Sequence, residues 1–311
     1  MLKARHFAES YRADLLACAR ECYEQAIALD PKFALAHCEY GIYFLSLAAA
    51  GALPANQAFP IVRSLAEKAL ELDPFLPEGE AMLGVVAAFL ENDWKEAERR
   101  FRLAMARDPV PVNVRFQYAL SYLLRVDRPG EALQQIELGL REDPLNPLLQ
   151  INRAGCLVAA GRDEEAAEGY REALELNPGI VGALGPLAAH HASRGEFDQA
   201  LELSEKTYTL APKLPHGIGL LAGLLKRAGE TRRAEELLEK LRPVDTYGVP
   251  RGLAVYHWAL REFDAEADWL EKAIDQRDSY AAAYLRLWYG RELRSTPRWA
   301  GLMRKLNLPE S

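Results

Sequence analysis

A basic surplus is missing from this chain of 311 residues: 45 acidic side chains outnumber 38 lysines and arginines, leaving a net charge of −7 and a pI near 5.6. That balance argues against a general affinity for nucleic acid, which needs a basic face to displace counterions. Cysteine is scarce as well. Cys18, Cys22, Cys38 and Cys156 are irregularly spaced, so they make no disulfide framework, and reduced thiols in a cytoplasmic setting are expected. Val, Ile and Thr are sparse, and no stretch alternates polar and apolar residues for long enough to read as a strand. The most apolar run, Ile42 to Leu53, is too short to span a bilayer. The opening MLKARHFAESYRADL lacks the apolar core of a signal peptide, so no membrane partner is expected.

Catalytic signatures are missing too. There is no His-Glu-x-x-His, no phosphate loop and no nucleophile elbow, and neither an enzyme nor a cofactor is expected. The nearest approach to a metal site is Cys18 and Cys22, four apart on one helical face, with His37 and Cys38 a turn away. Tight Cys-x-x-Cys pairs are absent, and a free cysteine often serves as a small buried apolar residue. His190 and His191 are adjacent, so their rings point to different helical faces.

What is present is a period. Ala, Leu, Glu and Arg, all good helix formers, dominate. The phrase ALELDPFLPEGEAMLG has relatives in IALDPKFALAHCEYG, REDPLNPLLQINRAG and ELNPGIVGALGPLA. The prolines of these joints are Pro31, Pro74, Pro109, Pro144, Pro178 and Pro212. They are 43, 35, 35, 34 and 34 residues apart. Asp73 and its counterparts therefore recur a whole repeat apart, too far to act as paired acid–base carboxylates, and read as helix-boundary residues.

Other positions keep the same step. Ten residues after each proline stands a small residue: Gly41, Gly84, Ala119, Ala154, Ala188 and Ala222. A turn follows, with Gly161, Gly195 and Gly229 in three cases. The next helix places Ala97, Ala132, Ala166, Ala200 and Ala234 at matching sites. Four residues on come Phe101, Ile136, Tyr170 and Leu238, with Ser204 breaking the pattern. Small residues let facing helices approach, while the large residue fills the space between one hairpin and the next. Proline at the joint suits the first turn of the following helix.

This pattern, over residues 13 to 278, resembles the tetratricopeptide repeat, a 34-residue helix–turn–helix unit. The resemblance implies an all-α fold: a right-handed superhelical solenoid of about seven to eight hairpins with a C-terminal capping helix. Residues 1–311 are expected to form a single solenoid, with 1–30 a partial first repeat, 31–278 the repeats and 279–311 the capping helices. Within the cap, SYAAAYLRLWYGREL reads as one helix covering the last hairpin. Ser-Thr-Pro then starts another that buries Trp299, Leu302, Met303 and Leu306.

In tetratricopeptide proteins the first helix of each hairpin lines a concave groove. Carrying those positions over selects Cys38, Ile42 and Leu45; Ala81, Val85 and Phe89; Phe116, Leu120 and Leu123; Ile151 and Val158; and, where the groove turns small or basic, Gly185, Ala189, Gly219, Gly223, Lys226 and Arg227. The family's carboxylate clamp uses Lys, Asn and Arg there, so the mostly apolar set disfavours a co-chaperone role of that kind. An apolar groove fits a hydrophobic protein or peptide segment, or part of this chain itself. The alternative is that these side chains only fill inter-helix space.

The wording of the array also resembles repeat regions of multidomain bacterial signalling proteins, implying a non-catalytic sensory or scaffolding part of such a protein. A self-assembling module, possible as a homo-oligomer, is the competing reading. RNA binding would need more basic groove positions than Lys226 and Arg227. From Ser279 onward, six basic residues (Arg286, Arg291, Arg294, Arg298, Arg304, Lys305) face Glu292 and Glu310, a net of +4 that leaves −11 on the remainder. That asymmetry suits steering of a partner or head-to-tail association, or simply a solvated cap.

Overall fold

The computed structural model describes residues 13–49 and 51–309. Among these every regular element is helical. In chain order they are α1 (Ala13–Leu29), α2 (Ala34–Ala49), α3 (Ala55–Leu72), α4 (Pro77–Val86), α5 (Trp94–Met105), α6 (Val112–Tyr118), α7 (Pro129–Glu142) and α8 (Pro147–Ala159). Then come α9 (Asp163–Leu176), α10 (Val181–Ser193), α11 (Phe197–Leu210), α12 (Pro215–Arg227), α13 (Thr231–Glu239), α14 (Val249–Leu260), α15 (Phe263–Asp275), α16 (Ala281–Tyr284) and α17 (Arg298–Lys305). Consecutive helices pair as antiparallel hairpins, giving an all-α repeat solenoid. Residues 1–12 of the expected partial first repeat lie outside the described residues. Contacts divide the chain into two compact units, Met1–Tyr122 and Leu123–Ser311.

The joints at Asp30, Asp73, Asp143, Asn177 and Ala211 share one turn, whereas Asp108–Pro109 is a cis peptide bond. Asp73 leaves the helix with extended backbone, its carbonyl accepts from Leu76 N–H at 3.1 Å, and its carboxylate accepts from Phe75 N–H at 3.0 Å. Asp30 and Asn177 repeat the side-chain bond, to Lys32 and Gly179 N–H, each at 3.1 Å. Pro74 thus occupies the second position of a β-turn, where its fixed φ is favoured. This corrects the expectation that the joint proline opens the next helix: a later proline, Pro77, Pro147 or Pro215, does so.

The turn inside each hairpin needs one left-handed residue. Gly161, Gly195 and Gly229 take it with φ of 75°, 79° and 87°, where glycine has no Cβ to clash. Asn92, Asp127 and Arg261 hold the same place with φ of 52°, 62° and 61°. His191 and His257 then clip this turn, their Nδ1 atoms lying 2.6 and 2.7 Å from Glu196 and Glu262.

Packing follows the periodic residues. Ala97, Ala132, Ala166, Ala200 and Ala234 are buried between helices, and Phe101, Ile136 and Tyr170 fill the spaces beyond them. A Cβ on Gly84 would come within 2.9 Å of the Phe101 ring, so the small residue is set by its neighbour's bulk. Between α12 and α14 the approach is closer still: a Cβ on Gly219 would fall 1.9 Å from the Gly252 carbonyl oxygen.

Two features were not visible in the periodicity. The first helices α4 and α6 each end in a turn of π-helix, Ala87–Glu91 and Ala119–Leu123. The C-terminal segment is also not one helix. After the four-residue α16 it breaks into turns with short 3₁₀ stretches at Trp288–Gly290 and Leu293–Ser295. Its aromatic and arginine side chains are buried on several sides rather than on one face, which a regular helix cannot arrange. Gly290 makes the bend possible, since a Cβ there would meet the Leu285 carbonyl oxygen at 2.3 Å. The final helix α17 does pack on α15, burying Trp299, Leu302, Met303 and Leu306.

Candidate functional site

In unit 1 the first helices α2, α4 and α6 lie side by side. Of the residues expected on their inner face, Cys38, Ala81 and Val85 are buried, whereas Ile42, Leu45, Phe89, Phe116 and Leu120 are half-buried. Phe89 and Leu120 sit in the π turns, whose extra residue rotates everything after it relative to a regular helix. Phe89 packs edge-on against Phe59 with ring centroids 5.7 Å apart.

The sequence reading missed the polar part of this face. Glu39 on α2 is 1% exposed, and the Asn113 amide of α6 reaches to 3.5 Å from it. This bond reaches from α2 to α6 past the intervening α4. Cys38, next to Glu39 in sequence, is fully buried. Burial first, then the Glu78 and Glu39 charges, push its thiol far above the ordinary range, so it is a packed, unreactive group. Among the described residues no three His, Cys, Asp or Glu side chains are placed to hold a metal ion. No described helix is long and apolar enough to cross a membrane.

In unit 2 the expected groove residues separate. Leu123 and Val158 are buried, and Ile151 is half-buried. Lys226 and Arg227 are exposed, but their head groups turn to neighbouring helices: Lys226 donates to the Tyr256 hydroxyl at 3.0 Å, while Arg227 donates to the Ala259 carbonyl at 3.3 Å and stacks on Phe197. Gly219 and Gly223 face α14, not a groove.

The first helices of this unit are instead occupied by the chain's own segment 278–295. Arg251 of α14 lies 3.3 Å from Asp278, both side chains 1% exposed, with its guanidinium over Tyr280 and Tyr284. Arg125 donates to the Ser279 carbonyl at 2.7 Å, and burial works against its charge. Arg286 returns the contact, donating to the Arg125 carbonyl at 3.1 Å and lying 3.2 Å from Asp127. Trp288 packs against His190 and Tyr170, and Tyr284 against His216. Arg291 donates to both oxygens of Asp163 and to the Val158 carbonyl.

Repeat geometry of this kind defines a class, the helical-hairpin repeat proteins whose first helices offer a binding face. Within that class the chain is similar to the tetratricopeptide repeat proteins, and the tetratricopeptide repeat family model matches residues 121–180. Two curated relatives agree. One is the tetratricopeptide repeat and J domain-containing co-chaperone DNJ1 of Fusarium oxysporum, 33% identical over 34% of this chain and 19% of the relative. The other is the TPR repeat-containing protein YpiA of Bacillus subtilis, 28% identical over 35% of this chain and 26% of the relative. The chain thus spans about a fifth to a quarter of those proteins. Among solved structures, the human IFIT1 dimer with m7Gppp-AAAA shares the fold, with 18% identity and a TM-score of 0.58 over 96% of this chain and 75% of that one.

Proposed function

We propose that the chain is a non-catalytic protein–protein interaction scaffold, the sensory or scaffolding region of a larger bacterial signalling or regulatory protein working in the cytoplasm. Unit 1 is the proposed site for a partner segment. The observation that carries this reading is the row α2, α4, α6, whose helices and their π turns carry half-buried Ile42, Leu45, Phe89, Phe116 and Leu120 together with the buried Glu39. An apolar strip with a few fixed polar groups is what a peptide-binding surface requires. Tetratricopeptide repeats generally mediate protein–protein interaction, and a Bacillus subtilis relative is in keeping with a bacterial setting. The net charge of −7 supports a protein partner over RNA.

Selection of a random peptide library on the immobilised chain tests this. Apolar peptides that bind the native chain and lose at least tenfold with Phe116→Glu support it. Failure to enrich any peptide, or enrichment of peptides indifferent to Phe116→Glu, would remove the site. The competing reading, self-assembly, is favoured by one observation, that unit 2 already receives a segment of this chain. Sedimentation at rising concentration separates the two, since a monomer at all concentrations excludes self-assembly.

A further inference from the structure

The way segment 279–295 is held in unit 2 is that of a bound peptide and not of a repeat. It has no hairpin partner, and its backbone is irregular. Its fastening consists of side chains reaching the ends of first helices and the turns that follow them: Arg286 to Asp127 and Arg291 to Asp163 and the Val158 carbonyl. Between these arginines Trp288 and Tyr289 enter aromatic surroundings, Trp288 beside His190 and Tyr289 4.7 Å from the Trp258 centroid. The charge matches as well, a basic segment set on acidic repeats.

The seat is also imperfect. Among the described residues, both carboxyl oxygens of Glu266, Oε2 of Glu292, Nδ1 of His216, Oδ2 of Asp278 and Nε of Arg251 are buried without a protein hydrogen-bond partner. All belong to the segment, to Asp278 at its entry or to the helices that surround it. Each such atom penalises the seated state relative to one in which water reaches it. Burial and the neighbouring Glu292 raise the Glu266 carboxyl, in keeping with two acids pressed together.

We propose that residues 279–295 are an internal ligand of unit 2, covering a face whose external partner is an extended peptide of the same chemistry: two arginines flanking an aromatic pair, spaced as Arg286, Trp288, Tyr289 and Arg291. The partner and the chain's own segment exclude each other, so unit 2 binds only when the segment is displaced. This goes beyond the reading of unit 1 and is independent of it.

The test uses a fluorescently labelled synthetic peptide copying residues 279–296 and the full chain. Fluorescence anisotropy is read for the native chain, for Arg286→Ala/Arg291→Ala, and for that variant with Asp127→Asn and Asp163→Asn added. The double variant, its own segment loosened, is expected to bind at least tenfold tighter than the native chain, and the added wall substitutions to abolish the gain. A double variant that keeps native circular dichroism yet binds no better than the native chain overturns the proposal, as does binding that ignores the wall substitutions. Should the double variant fail to fold, Arg291→Ala alone, at a side chain 37% exposed, gives the same comparison. Phe116→Glu in unit 1 is expected to leave this binding unchanged, so the two proposals fail separately.

Discussion

Arg291 forks across Asp163, placing one guanidinium nitrogen 2.5 Å from each carboxylate oxygen and joining positions 128 residues apart. Both side chains are partly exposed, so Arg291→Ala is expected to lower unit 2 stability by about 1–2 kcal/mol, below the range for a fully buried charged pair. Urea unfolding followed by tryptophan fluorescence reads it. Arg291→Lys should restore only part, because an ammonium cannot span both oxygens. The guanidinium holds Asp163 below its ordinary 3.8. This contribution is therefore present above pH 3.8 and fades as pH falls through the depressed native value.

Glu266 works in the opposite sense. Burial, helped by Glu292, raises its carboxyl to about 9, so the native state keeps a proton that the unfolded chain releases above its ordinary 4.5. Stability should then fall as pH rises from about 4.5 to about 9, by up to about 1.4 kcal/mol per pH unit. Glu266→Gln removes the ionisation. Its unfolding midpoint is expected to exceed the native one at pH 8, with a gap that narrows towards pH 5. Parallel pH profiles for the two proteins would show that Glu266 is not held neutral.

His216, against the Tyr284 ring, is drawn down to about 3 by burial, with Arg251 adding to the effect. The unfolded chain takes up a proton below 6.5 that the native state refuses, so stability is lost as pH falls from 6.5 towards 3. Relative to the native chain, His216→Gln should therefore gain in midpoint between pH 6.5 and pH 5, a difference that separates this histidine from the opposite slope set by Glu266. Thermal unfolding at those two pH values is sufficient.

The glycines of unit 2 are expected to part company on substitution. Gly219→Ala drives a methyl group into the Gly252 backbone and should cost about 1–3 kcal/mol by forcing α12 from α14. Gly155→Ala, in the middle of α8, meets nothing closer than the Tyr170 hydroxyl at 3.7 Å and should gain about 0.5–1 kcal/mol. Denaturant midpoints of both variants check the contrast.

Much of the architecture was legible in the chain because a small set of residue types marks its joints, turns and helix contacts. Asp73 with Pro74, Ala166 and Gly161 each answer a local steric demand, and each recurs at the repeat period. The groove was less legible. A π turn has no compositional mark, so Phe89 and Leu120 could be placed only on the assumption of regular helix. Lys226 was expected on the groove, whereas its head group turns to Tyr256 of the neighbouring helix. The tail misled more deeply: Ala281–Ala283 announce a helix, while Arg286, Trp288 and Arg291 serve contacts with residues far back in the chain. The signal that could have revealed the docking was the charge asymmetry. Arg286, Arg291, Arg298 and Lys305 of the basic end pair with Asp127, Asp163, Asp268 and Asp275 of the acidic body.

Hydrogen–deuterium exchange across residues 279–295 of the intact chain is the most direct test that unit 2 is filled by its own segment. Protection approaching that of α14 and α15 is expected, lost in Arg286→Ala/Arg291→Ala while the repeats stay protected. Exchange of the segment within seconds in the native chain, with α14 and α15 still protected, would contradict it.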